Sequence, residues 1–491
     1  MAEHNLGAFI PPAAESRSDY YGDIDPMDGR YRDPEAEKYL GGETRIALQA
    51  YVEAALAHTL ADFDICSREV AMEIEAACAN VSAKEVDDRE YGRGEFDGRG
   101  TRHDIKALTE AISAQISDEA KPWVHATATS YDIVSTANAL QYREAMNGLV
   151  MPRLVKLGDN LADLAERYAD TPQIGRTHGQ HAVPITFGFG VSRYLGRLGE
   201  SATELDRHTF GLQGKFSGAV GGYNASSLIM DNPIVFEAAL LAKLGLEPCE
   251  HATQIVPAEN TTRLLAELGI TAGIMAQIAN DMRNLQRTEI GEVGEPFDRE
   301  HATGSSAMPQ KRNPITFEQV AGFERVVIPQ VLTSYLNLTS EHQRDLRDSS
   351  AGRFHGIMLA EVAHMAKTLN RILPKLEVDT VNLDRNLGAQ KGAIGSEPLQ
   401  VYLRQYGHPA AHNAAKRIVQ KALDEDQNLG EAVIDDEEIA STYWPLMTEA
   451  EQEIVLHPEH AYLGLTVEQT HNEVAKWREL RQQLAGYGRA A

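Results

Sequence analysis

Apolar residues recur at alternating steps of four and three along three stretches of the chain. Val150, Leu154, Leu157, Leu161, Leu164 and Tyr168 make the first, and Leu264, Leu268, Thr271, Met275, Ile278, Met282 and Leu285 the second. Met358, Val362, Met365, Leu369, Ile372 and Leu376 make the third. Such spacing places side chains along one seam of an α-helix. The seams predict helices of roughly 25 to 35 residues, against a usual mean of about 11. Helices that long rarely find enough partners within one chain, so the pattern predicts an all-α protein with a central long-helix bundle that assembles with copies of itself. Strand signals are few. The segment after residue 379 changes character and carries the acidic stretch DEDQNLGEAVIDDEE. Three helical domains are expected, spanning 1–128, 129–378 and 379–491.

Between the helix ending near Arg287 and the next, expected to open at Asn313-Pro314, lies GEVGEPFDREHATGSSAMPQKRN. Structureless connections beyond about 12 to 15 residues are uncommon and are usually lids, binding loops or disorder. This one combines glycines, prolines, Ser305, Ser306 and Lys311, and is read as a lid over 291–313. Asn313 is expected to cap the following helix, with Pro314 in its first turn.

Composition narrows the function. At 491 residues the chain exceeds what one core usually serves, and its formal charge of −26 argues against nonspecific nucleic-acid binding. Any anion site must therefore be a local convergence of cations. Cys66, Cys78 and Cys249 show neither metal nor redox spacing. No apolar run approaches the roughly 18 residues of a membrane span, and the opening lacks the marks of a signal peptide, so a cytoplasmic protein without membrane association is expected.

Four segments could carry chemistry. In GRTHGQHAVP, His178 is a candidate general acid or base; read alone, it fits a structural role as well. In the lid, Ser305 could act as a base only as an alkoxide, which needs cations such as Lys311, backbone N–H donors or a helix N-terminus nearby. In WVHATATSYD, Thr129 and Ser130 are either plain helix caps or, with exposed N–H groups, a carboxylate site. In HQRDLRDSSAGR, Arg344, Arg347 and Arg353 among serines suit phosphate or carboxylate, although Asp345 and Asp348 offer internal ion pairing.

GSSAMPQKRNP resembles the signature Gly-Ser-Ser-x-Met-Pro-x-Lys-x-Asn-Pro of the fumarase/aspartase superfamily. TSYD (129–132), GRTHGQ (175–180) and GKFSGAVGGY (214–223) follow the superfamily's order, and the resemblance spans roughly residues 25 to 425. MDGRY, RHDIKA, TQIVP and QRDLRDSSAGR are similar to segments of its adenylosuccinate lyase branch. That resemblance implies a cofactor-free, metal-free homotetramer with active sites shared between chains. The implied reaction releases fumarate from adenylosuccinate to give AMP, and from the succinylated imidazole-carboxamide nucleotide (SAICAR) to give AICAR, in purine biosynthesis. It further implies Ser305 as base, His178 as acid and Glu318 as the carboxylate paired with that acid, with His103 and His125 as auxiliary histidines. Arg30, Tyr31, Arg344, Ser349 and Arg353 would hold the nucleotide and its phosphate. Thr129, Ser130, Gln254, Ser306, Lys311 and Asn313 would hold the carboxylates and neighbouring groups, with Arg102, Asp104, Arg312 and Gln319 also at the substrate. Two positions depart from the family pattern: His181 stands where many relatives have proline, and Gln319 where Asn or Arg is often seen. The competing readings are another lyase of the superfamily, such as an argininosuccinate lyase, or a non-catalytic structural protein on this scaffold.

Overall fold

The structure is a computed structural model and describes residues 27, 29–296, 308, 310–484 and 486. Its architecture is all-α. The elements that position the candidate site are α1 (Gly42–Asp62), α2 (Asp104–Ser113), α3 (Ser130–Ala145), α4 (Met151–Arg167), α5 (Phe187–Phe210), α6 (Glu259–Leu285), α7 (Ile315–Leu336), α8 (Arg347–Gly352), α9 (His355–Ile372) and α10 (Thr466–Gln483).

The three seams become α4, α6 and α9, and their residues from Val150 to Leu164, Leu264 to Met282 and Met358 to Ile372 are buried. The helices pack side by side, α4 against α5 and α9, and α6 against α5, α7 and α9. One apolar core runs from α1 through this bundle. Only α6, at 27 residues, reaches the expected length, while α5 has 24 and α9 has 18. The third seam outlasts its helix because Pro374 leaves no N–H for a further turn, so Leu376 is buried beyond the helical end. A related effect joins α3 to α4. Pro152 cannot donate to the carbonyl of Gly148, and the chain crosses this point in a π-helical turn, Met146–Val150, closed by Met151 N–H to the Met146 carbonyl. The two helices thereby form one continuous rod over 130–167.

Apolar residues between Leu399 and Val455 form a smaller core of their own. The chain then returns in α10, which lies on α4 and α5 and buries Val474, Trp477 and Leu484 in the main core. The Trp477 indole N–H donates to Asp159 Oδ1 at 3.0 Å. A side chain at Gly158 would meet the Trp477 ring at 2.0 Å, so this crossing requires glycine. No described helix is long and apolar enough to cross a membrane.

One element lies outside the expected pattern. Pro172–Thr177 (β1) and Gln180–Thr186 (β2) form an antiparallel hairpin in which Thr177 faces Gln180. Its two-residue turn is His178-Gly179, with φ of 55° and 75°, the left-handed pair that matches strand twist. The other strand pairings among the described residues are two residues long.

Candidate functional site

Histidine, hydroxyl and arginine groups converge where α2, α3 and α8 meet. His103 caps α2: its Nδ1 accepts the Lys106 backbone N–H at 3.4 Å. A backbone N–H can only donate, so the neutral ring carries its proton on Nε2, which faces the Ser130 hydroxyl at 3.3 Å.

Ser130 opens α3, and its position is fixed by Asp132. Asp132 Oδ2 accepts the Thr129 backbone N–H at 2.7 Å, giving the helix its first cap. Asp132 Oδ1 accepts from the Lys215 ammonium and from the backbone N–H groups of Ser217 (3.1 Å) and Gly218 (3.2 Å). Both side chains of the Asp132–Lys215 pair are fully buried. One carboxylate thus binds TSYD to GKFSGAVGGY. A buried charge persists only when paired and hydrogen-bonded throughout, as this one is.

Tyr131 faces α8. Its hydroxyl donates to Ser349 Oγ at 3.3 Å, and the Arg344 guanidinium lies 3.4 Å from its ring centroid. Arg353 approaches Asp104 at 3.8 Å. Internal ion pairing takes a share of this segment: Arg347 holds Asp345 at 2.6 Å and Arg344 meets Asp348 at 3.3 Å. Hydrogen bonds from the Arg347 side chain and backbone keep the Asp345 carboxyl far below the usual range. Tyr131, Ser349, Arg353 and Asp104 line a cleft of 390 Å³ that continues along α3 past Ser135 and Asn138.

His125 lies just ahead of α3. Its Nδ1 meets Glu53 Oε1 at 2.6 Å, and its backbone N–H donates to Glu53 Oε2 at 3.1 Å. Burial works against the charged ring, but the charge and hydrogen bond of Glu53, with the charge of Asp132, outweigh it and hold the imidazole above its ordinary value. The backbone here is strained: His125 and Thr127 have φ of 58° and 61°, and Arg102 has 56°. Positive φ is costly for a β-branched residue such as Thr127, and strain of this kind gathers at functional sites.

Other expected residues stand elsewhere. Tyr31 packs edge-on against Phe323 and His364, with Arg30 5.9 Å from its ring. The Gln319 amide meets His364 Nε2 at 3.3 Å, so the departure from Asn or Arg places an amide against a histidine that burial keeps below its ordinary value. Gln254 is half-buried in the loop before α6. His178 is exposed at the hairpin tip. The hairpin packs on α5, α10 and the helices following residue 379, away from the α2–α3–α8 junction. Strand β1 is fixed along its length by Glu292, fully buried, which takes both Arg176 Nη groups and the amides of Gln173 and Asn386.

Glu318 and Lys311 are exposed, and Arg312 reaches Glu377 at 3.5 Å. Asn313 does not cap α7. Pro314 occupies the cap position, and the first N–H groups are satisfied by Glu295, whose carboxylate accepts from Thr316 (3.2 Å) and Phe317 (2.6 Å). Ser305 and Ser306 lie outside the described residues. Among the described residues no group of histidine, cysteine and carboxylate side chains could hold a metal ion.

Sequence reasoning missed Glu53, Tyr131, Asp132, Lys215 and Glu292. Glu53 left a signal: a carboxylate between Ala50 and Ala57, in the buried phase of α1.

Comparison with known proteins shows the family. A family model described as Lyase matches residues 20–328, and one described as Adenylosuccinate lyase C-terminal matches 340–450. The adenylosuccinate lyase of Methanocaldococcus jannaschii is 33% identical over 458 residues, covering 90% of this chain and 93% of its own. That of Pyrococcus abyssi is 35% identical over 474 residues, covering 94% and 99%. Among solved structures, the 3-carboxy-cis,cis-muconate lactonizing enzyme of Pseudomonas putida superposes with a TM-score of 0.78 at 27% identity, covering 92% of this chain and 99% of that one. A fumarate lyase from Mesorhizobium sp. BNC1, at 23% identity, has a TM-score of 0.77 over 90% and 98%, a likeness of fold.

Proposed function

The chain belongs to the adenylosuccinate lyase family of the fumarase/aspartase superfamily, and from that premise we propose how its residues divide the work of a carbon–nitrogen lyase that releases fumarate in purine biosynthesis. The substrates are adenylosuccinate, giving AMP, and SAICAR, giving AICAR. The enzyme acts in the cytoplasm as a homotetramer, and each site draws on more than one subunit. The chain is organised as a substrate-binding N-terminal domain (1–128), a bundle domain (129–378) and a C-terminal domain (379–491).

The observation that carries the reading is the convergence of Asp104, Tyr131, Ser349 and Arg353 around one cleft, from segments far apart in the chain, with the contacting pair His103 and Ser130 next to Asp104 and Tyr131 in sequence. An arginine-and-hydroxyl wall suits a phosphate, and the hydroxyls at the start of α3 suit a carboxylate. Arg30, Tyr31, Arg102, Asp104, Gln254, Arg312 and Gln319 complete the nucleotide contacts. A second observation supports the shared site. His178 and Glu318 are exposed. The face of α7 that carries Ile315, Val326, Leu332 and Leu336 is also uncovered, as expected of a surface that another copy buries.

In the reaction, Ser305 takes the proton from the succinyl carbon next to the carboxylate. Those electrons form the new C=C bond as the C–N bond breaks, and His178 protonates the departing nitrogen. The products are fumarate and the amino nucleotide. Charge accumulates on the succinyl carboxylate, where Thr129, Ser130, Ser306, Lys311 and Asn313 stabilise it, the electrostatic contribution that usually dominates such steps. Glu318 from another subunit pairs with His178, and His125, held by Glu53, stands just ahead of the α3 carboxylate site. Fumarate release from purified protein, followed with adenylosuccinate and SAICAR separately, tests the assignment. Release from both supports it, and release from argininosuccinate alone overturns it.

A further inference from the structure

Tyr131 belongs to no part of the reaction described above, yet it bridges two of its components. Its ring lies under the Arg344 guanidinium at 3.4 Å, and its hydroxyl donates to Ser349 Oγ. Each contact leaves one donor uncommitted. The Arg344 side chain is 5% exposed; its Nε donates to the Asp345 carbonyl and its Nη2 to Asp348, while Nη1 is buried with no partner among the described residues. Ser349 accepts the Tyr131 proton, so its own O–H is left to donate elsewhere. A buried guanidinium N–H without an acceptor is costly, and a bound anion would offset that cost. The ring also covers one face of the guanidinium and so limits where the fork can turn.

We propose that Tyr131 is a positioning residue for the substrate's phosphate: it holds the Arg344 guanidinium and the Ser349 hydroxyl so that one donor from each is presented to the phosphate oxygens. This rests on the reading of Arg344 and Ser349 as phosphate contacts. Tyr131 discriminates nucleotide from nucleoside and has no part in the bond-breaking step.

The test compares AMP with adenosine by calorimetry, alongside steady-state kinetics on adenylosuccinate. Tyr131→Leu is expected to weaken AMP about tenfold and raise KM to a similar degree, with adenosine affinity within about twofold and kcat within about threefold of the parent. Tyr131→Phe keeps the stacking and loses the hydroxyl; it is expected to weaken AMP about threefold, and to have no further effect in a Ser349→Ala background. Arg344→Gln separates the inference from its premise. If Arg344→Gln leaves AMP affinity unchanged, the phosphate reading fails and the inference with it. If Arg344→Gln weakens AMP while Tyr131→Leu does not, the role of Tyr131 alone is overturned. Equal losses for AMP and adenosine, or a fall in kcat at constant KM, also overturn it. Should Tyr131→Leu fail to fold, the cycle between Tyr131→Phe and Ser349→Ala decides, and additive effects rule the proposal out.

Discussion

The α2–α3–α8 junction and the hairpin tip carry residues of the same proposed reaction but are built in opposite ways. At the junction, Ser130, Tyr131 and Ser349 are held by contacts within the chain, and Asp132 fixes the start of α3 with four hydrogen bonds from partners in two segments. At the tip, His178 is exposed on a two-residue turn, and the chain is anchored two residues before it, where Arg176 meets the buried Glu292. The proposed binding side is preassembled within the chain, whereas the proposed proton donor stands exposed on a short arm. Preorganised donors lower the cost of binding, and a protruding arm can serve only a site it is carried to.

The strongest way to break this comparison is to ask whether the arm serves its own chain. His178→Ala and Ser305→Ala should each lower turnover by about 10²- to 10⁴-fold, as expected for loss of a proton-transfer group. Unfolded together and refolded as an equal mixture, they should recover activity, with roughly a quarter of sites wholly native under random closed assembly. Hybrids showing only the sum of the parental activities would place both groups on one chain.

A second test strikes the preassembled side. Lys215→Met leaves the Asp132 carboxylate buried without its cation, which should destabilise the fold by about 3 to 5 kcal/mol. Denaturant melts would measure it, and a loss under about 1 kcal/mol would mean that the backbone donors alone satisfy the carboxylate.

The third test concerns pH. The folded state raises the His125 value above its unfolded one, chiefly because Glu53 overcomes the effect of burial. Its contribution to stability is therefore fully present below the unfolded value and is lost as pH rises through the folded one. In Glu53→Gln, the His125 titration followed by NMR should move to lower pH, and stability should lose that dependence. His355 has the opposite sign. Burial pushes it down to about 4, so stability should fall as pH drops from the unfolded value of about 6.5 towards 4, and His355→Leu should flatten that acid limb.

The smallest effect is expected at Gly179. Nothing lies within 4 Å of the position its side chain would take, so Gly179→Ala adds only backbone strain at a φ of 75°. About 1 kcal/mol of stability should be lost. If His178 depends on the turn's geometry, turnover should fall more than stability does; equal losses would show the arm to be insensitive to its tip.

The helical framework was legible in the sequence because burial of one helix face leaves a period, and α4, α6 and α9 follow their seams closely. The motifs, too, pointed to His103, Ser130, Ser349 and Arg353, which the fold brings to the α2–α3–α8 junction. Less legible were the residues that hold them. Lys215 and Glu292 are ionic groups buried by contacts more than 80 residues apart along the chain, and no local pattern announces such a pair. The hairpin escaped notice because its turn pair is His-Gly, where Asn-Gly or Asp-Gly would have signalled it. The Asn313 cap failed for a related reason: a carboxylate from another segment supplied what a local side chain was expected to supply.

That substitution has a mechanical consequence. Glu295 stands just before the stretch 297–307, and its carboxylate grips the first turn of the helix that follows, through Thr316 and Phe317. Two positions 21 residues apart in sequence, Glu295 and Thr316, are therefore clasped in the folded chain, and the entropy of bringing them together is already settled before any substrate arrives.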